Sequence, residues 1–340
     1  MNHSHLFNAD QQLQQRMLPG VSRTFALTIP QLNEPLATVV TNAYLLCRVA
    51  DTIEDDNLLS QADKAAWHQQ LYLVLLNELD AEEFSAALES QLSPITPVSE
   101  KELINNLPAV IRCFRCFNSI QQQSLLRCIT IMLQGMPKFQ RNISVAGLLD
   151  MQSLENYCYC VAGVVGEMLT ELFCHYSAAI AVNQERLMEL APCFGQGLQM
   201  TNILQDFWID RQRGVCWLPQ DIFRQHGVDL ASLNMDDHRE VMRHIFRGLI
   251  KYTIAHLQKA LEYSMLIPAS ERGIRRFTLW SLGLAVLTLR NLDKQNNRNQ
   301  ETKTKINRKT VKLAILVLNT SCHNNLLLKY LFNLFTRKLR

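Results

Sequence analysis

Asp51, Glu54 and Asp55 stand as D-x-x-E-D, and three- and four-residue spacing puts all three carboxylates on one face of a helix. Like charges so placed repel unless they remain in water or share a cation. A second group, Asn202, Asp206 and Asp210, falls at i, i+4 and i+8 in the run T-N-I-L-Q-D-F-W-I-D. This polar stripe runs through Ile203, Leu204, Phe207, Trp208 and Ile209, and carboxylates among large apolar residues need a compensating charge. Two aspartate-bearing helices facing one another would hold several Mg2+ ions, hard cations that take oxygen ligands and share them with substrate phosphates. A solvated acidic face is the plainer alternative for either group.

Cations lie close to both groups: Arg23 in S-R-T-F, Arg48 one turn before Asp51, and Arg213 just after Asp210. Tyr44, Arg48, Asp51 and Asp55 fall at i, i+4, i+7 and i+11, so one helix face presents a hydroxyl, a guanidinium and two carboxylates. A third feature is Y-C-Y-C-V-A-G-V-V-G-E-M, with Tyr157, Ala162, Gly163 and Gly166. Glycine inside a helix costs about 1 kcal/mol relative to alanine, so something must approach that backbone closely. Either tight helix packing or the wall of a deep apolar pocket answers the description.

The elements that must position these residues read as helices. Apolar residues recur at three- and four-residue intervals, and no Val/Ile/Thr-rich run bounded by turn residues suggests a strand. The pattern predicts helices over Thr38–Glu54, Trp67–Leu79, Leu103–Phe117, Ser124–Leu133, Gln152–Tyr176, Arg186–Asp210, Asp236–Met265, Gly273–Leu292 and Thr310–Leu339. Ser90–Ser99, with Pro94 and Pro97, reads as a linker. A single all-α domain over residues 1–340 is expected, with 293–309 a mobile basic loop and 310–340 a C-terminal helical segment.

With 48% hydrophobic residues the chain has enough apolar material for a large core. The formal net charge of +3 is unevenly placed: from Arg290 onward there are twelve Lys/Arg against two acids, which leaves −7 in the first 289 residues. No nucleic-acid partner is expected. The first residues lack a basic segment followed by an apolar stretch, and the stretch Leu279 to Leu289, apolar apart from Ser281 and Thr288, is far short of the roughly 20 residues of a membrane span. The ten cysteines are scattered, so reduced thiols in a cytoplasmic setting are expected, and Cys113 and Cys116 read as a helical face without a second pair at zinc-site spacing.

D-T-I-E-D, Y-C-Y-C-V-A-G and L-Q-M-T-N-I-L-Q-D-F-W-I-D, in that order and with S-R-T-F upstream, resemble the squalene and phytoene synthase family over roughly residues 16 to 290. D-T-I-E-D-D, G-L-A-V-L-T-L-R-N and the basic K-I-N-R-K segment lean towards the squalene-forming branch. The resemblance implies the all-α isoprenoid synthase fold, a class I terpenoid synthase helical bundle around a central cavity, with acidic motifs on opposite walls. It implies Mg2+ and two molecules of farnesyl diphosphate, joined head to head to presqualene diphosphate and then reduced by NADPH to squalene. Phytoene or dehydrosqualene synthesis without reduction, and arrest at presqualene diphosphate, are the neighbouring alternatives. A non-catalytic isoprenoid-binding protein is the alternative of another class.

By the same resemblance, Asp51, Asp55, Asp206 and Asp210, with Glu54 and Asn202, hold Mg2+, while Ser22, Arg23, Tyr44, Arg48, Asn202 and Arg213 bind diphosphate. Tyr157 is the motif tyrosine, placed for proton transfer or for cation stabilisation by its ring face. Phe25, Val161, Gly163, Leu198 and Phe207 line the cavity and exclude water. The family pattern has Gly-Arg, an aromatic residue and Pro after the second acidic motif, whereas Gly214 is followed here by Val215, Cys216, Trp217, Leu218 and Pro219. Arg211 or Arg213 substitutes for the missing arginine, or diphosphate contact is weaker. Lys305, Arg308 and Lys309 suit either NADPH phosphates or a membrane surface, since no G-x-G-x-x-G follows a strand. The last helix interleaves Leu and Phe with Lys and Arg, as a peripheral interfacial helix does; a core-packed helix with a basic outer face fits as well.

Overall fold

The computed structural model describes residues 3–141, 143–233, 235–296 and 306–339. Among them all regular structure is helical, apart from one isolated β-bridge between Leu148 and Pro219. The chain divides into two compact units, Met1–Arg141 with Met168–Ala181, and Asn142–Glu167 with Val182–Arg340.

The first unit contains α1 (His3–Val21), α2 (Phe25–Thr28), α3 (Leu36–Asp55), α4 (Gln61–Leu75), α5 (Ala81–Gln91), α6 (Val98–Asn105), α7 (Leu107–Arg115) and α8 (Ser119–Gln140). Capping residues set several starts. Ser60 and Asp63 form a reciprocal capping box on α4, Asn118 and Gln121 do the same on α8, and Asp80 caps α5. The Leu103–Phe117 pattern is split in two because Pro108 enters at the first turn of a new helix, where its missing N–H costs nothing.

Helix α3 is the core of this unit, with Leu45, Leu46, Val49 and Ile53 fully buried. Its position is set by Asn42, which donates to Gln14 Oε1 of α1 at 2.9 Å and to the Val110 carbonyl of α7 at 2.8 Å. Its C-terminus is fixed by Asp56, which accepts from the backbone N–H of Leu58, Leu59 and Ser93 and from the Thr96 hydroxyl. Burial alone would raise the Asp56 pKa, but these four donors outweigh it and hold the carboxyl below its usual value.

The second unit begins with α9 (Met151–Cys158), a π-helical turn over Tyr159–Gly163 and the start of α10 (Val164–Tyr176); α10 runs on into the first unit, where α11 (Ala178–Ala181) follows. It continues with α12 (Gln184–Gln212), α13 (Gln220–Gln225), α14 (Met235–Leu266), α15 (Arg272–Asn296), α16 (Arg308–Ser321) and α17 (Asn325–Thr336). The expected single C-terminal helix breaks at Cys322–Asn324, because Asn324 caps a new helix by accepting from the Leu327 N–H. Helix α15 extends to Asn296, beyond its expected end, and residues 297–305 of the expected basic loop lie outside the described residues.

Helix α12 is the spine of this unit, packed against α14, α15 and the π turn. A Cβ on Gly195 would stand 1.9 Å from the Ala162 carbonyl oxygen, and one on Gly166 would stand 2.2 Å from that of Ala191. Of the two readings of the glycines, Gly166 answers to tight helix packing. Met151–Tyr176 meets the length and hydropathy of a membrane span, but 56% of its apolar window is buried within the protein, as in a core helix.

Candidate active site

Helix α3 carries the first acidic group. Arg48 Nη1 lies 3.7 Å from Asp51 Oδ2, while Nη2 is paired with Glu100 of α6. Asp51 is half-buried and Asp55 exposed. Burial raises the Asp51 carboxyl, Arg48 works against that, and Asp55 and Glu100 add to it, leaving the pKa at about 7. The single neighbouring cation, Arg48, does not cancel the effect of burial and of the two carboxylates. Glu54 is placed differently, at 8% exposure, with Oε1 lacking a hydrogen-bond partner. Burial and the neighbouring Asp55 and Asp51 push its carboxyl well above the usual range, with the Lys64 charge opposing them. Lys64 Nζ and Gln140 Nε2 both donate to the Glu54 carbonyl, at 2.5 and 3.1 Å.

The turn that carries the upstream cation leans on the same helix. Tyr44 donates its hydroxyl to the Val21 carbonyl at 3.0 Å, and its ring lies 5.1 Å from that of Phe25. Ser22 Oγ accepts from the Phe25 N–H at 3.0 Å and starts α2. Tyr44 and Ser22 thus shape the turn, while Arg23 between them in sequence is exposed.

Helix α12 carries the second acidic group, with Asn202 exposed and Asp206 and Asp210 half-exposed along one stripe. The residues between them face inward: Ile203, Leu204 and Phe207 are buried, and Phe207 packs edge-on against Trp208 and Phe246 of α14. Phe207 is therefore core, and Leu198 and Val161 are half-buried. Gly163 is buried, and a Cβ there would meet the Tyr159 ring at 2.8 Å.

The segment after α12 departs from the family pattern, and its geometry accounts for the residues that stand there. Gly214 turns the chain with φ of +81°, Cys216 donates to the Ser144 carbonyl, and Leu148 and Gln220 exchange backbone hydrogen bonds with Leu218 and Leu148. Arg211 Nη1 donates to the carbonyls of Val145 and Leu230, at 3.0 and 2.7 Å, with its guanidinium carbon 5.8 Å above the Phe207 ring. Those bonds commit Arg211 to holding loops together. Arg213 is exposed. Trp217 turns back onto Tyr157, which is buried and has one ring face covered by the indole.

Among the described residues no three His, Cys, Asp or Glu side chains converge into a ready-made metal cage. Mg2+ commonly uses one or two carboxylates and takes its remaining oxygens from water and substrate phosphate, so adjacent-turn aspartates suit it. An apolar cavity of about 170 Å3 lies among α14, α15, α16 and α17, and Val161, Gly163, Leu198 and Phe207 do not line it. Arg308 and Lys309 are exposed on the first turn of α16, and Lys305 lies outside the described residues. Sequence reasoning passed over Glu100, Lys64 and Gln140, which pack around the first acidic group, and Trp217; only a buried charge opposite a known motif signals such residues.

The profile of the squalene/phytoene synthase family matches residues 18–334. The chain is 29% identical over 276 residues to squalene synthase ERG9 of Gibberella zeae, covering 81% of this chain and 57% of that protein. It thus spans little more than half of that relative. A solved complex of TcSQS with the ligand BPH1237 superposes with a TM-score of 0.77 at 21% identity, covering 97% of this chain and 98% of the other. A dehydrosqualene synthase bound to a ligand superposes with a TM-score of 0.64 at 20% identity, over 94% and 98% of the two chains. These likenesses give the fold: the all-α architecture of squalene and dehydrosqualene synthases.

Proposed function

The chain belongs to the squalene/phytoene synthase family, and on that premise we propose that it is a Mg2+-dependent prenyltransferase that condenses two molecules of farnesyl diphosphate head to head into presqualene diphosphate and then reduces this with NADPH to squalene. The observation that carries the reading is the pairing of aspartates one turn apart on each of two helices, Asp51 with Asp55 and Asp206 with Asp210. Asp51 supplies the fit for a cation: its carboxyl is raised to about 7 with Arg48 as the one opposing charge, and a further positive charge would return it to the ionised form.

In this reading Asp51 with Asp55, and Asp206 with Asp210 and Asn202, would hold Mg2+. The chemistry such an ion would supply there is neutralisation of the negative charge that develops on a departing diphosphate. Arg23, Arg48 and Arg213 bind phosphate oxygens, and Ser22 and Tyr44 hold the turn that presents Arg23. The allylic cation left behind alkylates the double bond of the second substrate, and loss of a proton from that adduct closes the cyclopropyl ring of presqualene diphosphate. Tyr157, buried and pinned by Trp217, keeps its phenol oriented for proton transfer and its ring as a cation-stabilising surface. Support for a reductive ending comes from two exposed cations, Arg308 and Lys309.

The test is incubation of the full chain with farnesyl diphosphate and Mg2+, with and without NADPH, followed by mass spectrometry of the extracted products. Squalene forming only with NADPH is expected. Dehydrosqualene or presqualene diphosphate in both arms would overturn the reductive half. Engagement of Arg211 with backbone carbonyls favours presqualene diphosphate as that second outcome, because Arg213 alone then remains for a diphosphate after the second motif. No diphosphate release at all would leave an isoprenoid-binding protein instead.

A further inference from the structure

Three helices of the second unit meet at Glu155, which stands on α9 just ahead of Tyr157. Its side chain is held from α14: the Tyr252 hydroxyl donates to Glu155 Oε1, and His256 Nε2 lies 3.9 Å from the same oxygen. Its carbonyl is held from α12, where Gln196 Nε2 donates to it at 3.0 Å. That carbonyl also accepts from the N–H of Tyr159, the first residue of the π turn. Both of its lone pairs are therefore engaged.

The junction has little slack. Gln196 lies between Gly195, where a Cβ would collide with the Ala162 carbonyl of the π turn, and Gly197, where a Cβ would stand 3.2 Å from His256 Cβ of α14. A hydrogen bond across such a contact fixes where α9 sits. With 28% of the Glu155 side chain and 11% of His256 exposed, this is not a solvated surface pair. His256 Nδ1 lies 3.3 Å from the Tyr252 carbonyl and is the donor of the neutral ring, so Nε2 then carries no proton. Burial holds the His256 pKa below its usual value, opposed by the Tyr252 carbonyl and Glu155 and helped by Lys259. Among the described residues, the Tyr252 hydroxyl is thus what the Glu155 carboxylate relies on at neutral pH.

Residues two apart on a helix point to opposite sides, so Glu155 acts on Tyr157 through α9 itself. On one side α12 and α14 grip the helix, and on the other Trp217 lies flat against the Tyr157 ring. We infer that Glu155 is a positioning residue: anchored by Tyr252 and Gln196, it sets where the Tyr157 ring stands against Trp217. The consequence for turnover rests on the role proposed for Tyr157, whereas the anchoring does not.

The experiment incorporates a fluorinated tryptophan into the full chain and follows the fluorine resonance of Trp217, assigned by its loss in Trp217→Phe. The ring current of Tyr157, stacked at 3.9 Å, acts on that resonance, so displacement of the ring is read without turnover. Tyr252→Phe and Glu155→Ala should each move it while the resonances of Trp67 and Trp280 stay in place. Each should also lower kcat for farnesyl diphosphate roughly tenfold, with KM kept within about twofold. Glu155→Gln keeps an acceptor oxygen for Tyr252 and should stay within about threefold of the parent. Glu155→Ala combined with Tyr252→Phe should be no slower than the slower single variant, because both remove the same bond. A Trp217 resonance unmoved in both single variants, or one that moves together with those of Trp67 and Trp280, overturns the inference and leaves the proposed reaction standing. A resonance that moves while kcat keeps the parent value upholds the anchoring and removes Tyr157 from the proposed reaction.

Discussion

Trp217 lies flat against Tyr157, ring centroids 3.9 Å apart and planes 5° from parallel. The two residues come from the segment after α12 and from α9, so the stack ties the variant loop to the motif tyrosine. Such a contact is worth about 1 kcal/mol beyond the area it buries. Trp217→Ala should therefore lower turnover of farnesyl diphosphate by roughly tenfold, if 1 to 2 kcal/mol of orientation is lost. Trp217→Phe keeps a ring face and should stay within a few-fold of the parent. Steady-state rates of diphosphate release check this, and an alanine variant as fast as the parent would show that Tyr157 needs no such support.

The close crossing of α12 and the π turn predicts opposite signs for two glycine substitutions. Gly195→Ala forces a Cβ to 1.9 Å from the Ala162 carbonyl oxygen, a backbone atom that cannot swing aside, so a loss of about 2 kcal/mol or more is expected. Gly248→Ala in α14 meets nothing within 4 Å and should gain about 0.5 to 1 kcal/mol through helix propensity. Thermal unfolding of the two variants, compared with the parent, measures both.

His68 makes the first unit acid-sensitive. It is 1% exposed on α4, with Nε2 3.1 Å from the Ala50 carbonyl of α3. Burial pushes its pKa down to about 4, helped by the Lys64 charge and opposed by the Ala50 carbonyl. Its folded pKa lies below the unfolded value, so between the two the unfolded chain binds the extra proton. The stability His68 contributes is thus intact above about pH 6.5 and lost as pH falls towards 4, by roughly 3 kcal/mol in all. His68→Gln can still donate to Ala50 but does not titrate, and denaturant midpoints across that window should be flatter for the variant.

The acidic stripes were readable because helical spacing is a local property, and Asn202, Asp206 and Asp210 do occupy the outer face of α12 while Ile203 and Phe207 turn inward. Glu54 was not readable. It lies within the same turn as Asp51 and Asp55, and only the packing of Lys64 and Gln140 around it separates a buried carboxyl from two accessible ones. Arg211 and Arg213 look equivalent in sequence, yet backbone carbonyls from two distant loops claim the first. The π turn carries no composition signal of its own; the close approach that Gly195 and Gly166 permit does. Caps such as Asn118 and Asn324 are legible in principle, and the Asn324 cap marks the break that divides the last helix.

Arg275 predicts how firmly the C-terminal helices are held. It is 2% exposed, and its guanidinium donates to the carbonyl of Cys322 at 2.6 Å, to that of Ile267 at 2.5 Å and to Asn325 Oδ1 at 2.6 Å. One side chain therefore joins the α14–α15 connection to the turn between α16 and α17. A planar fork can serve three acceptors in different directions, which a lysine ammonium on a flexible stem does far less well. Arg275→Met leaves two buried carbonyls without this donor at about 1 to 3 kcal/mol each, and Arg275→Lys should recover only part of that loss. The consequence should be local before it is global, because α17 is otherwise held mainly by Leu328 and Phe332. Amide hydrogen exchange is expected to speed up in α16 and α17 of the methionine variant while α3 and α4, in the other compact unit, keep their protection. Uniform acceleration throughout the chain would mean that Arg275 supports overall folding and is not a local clamp.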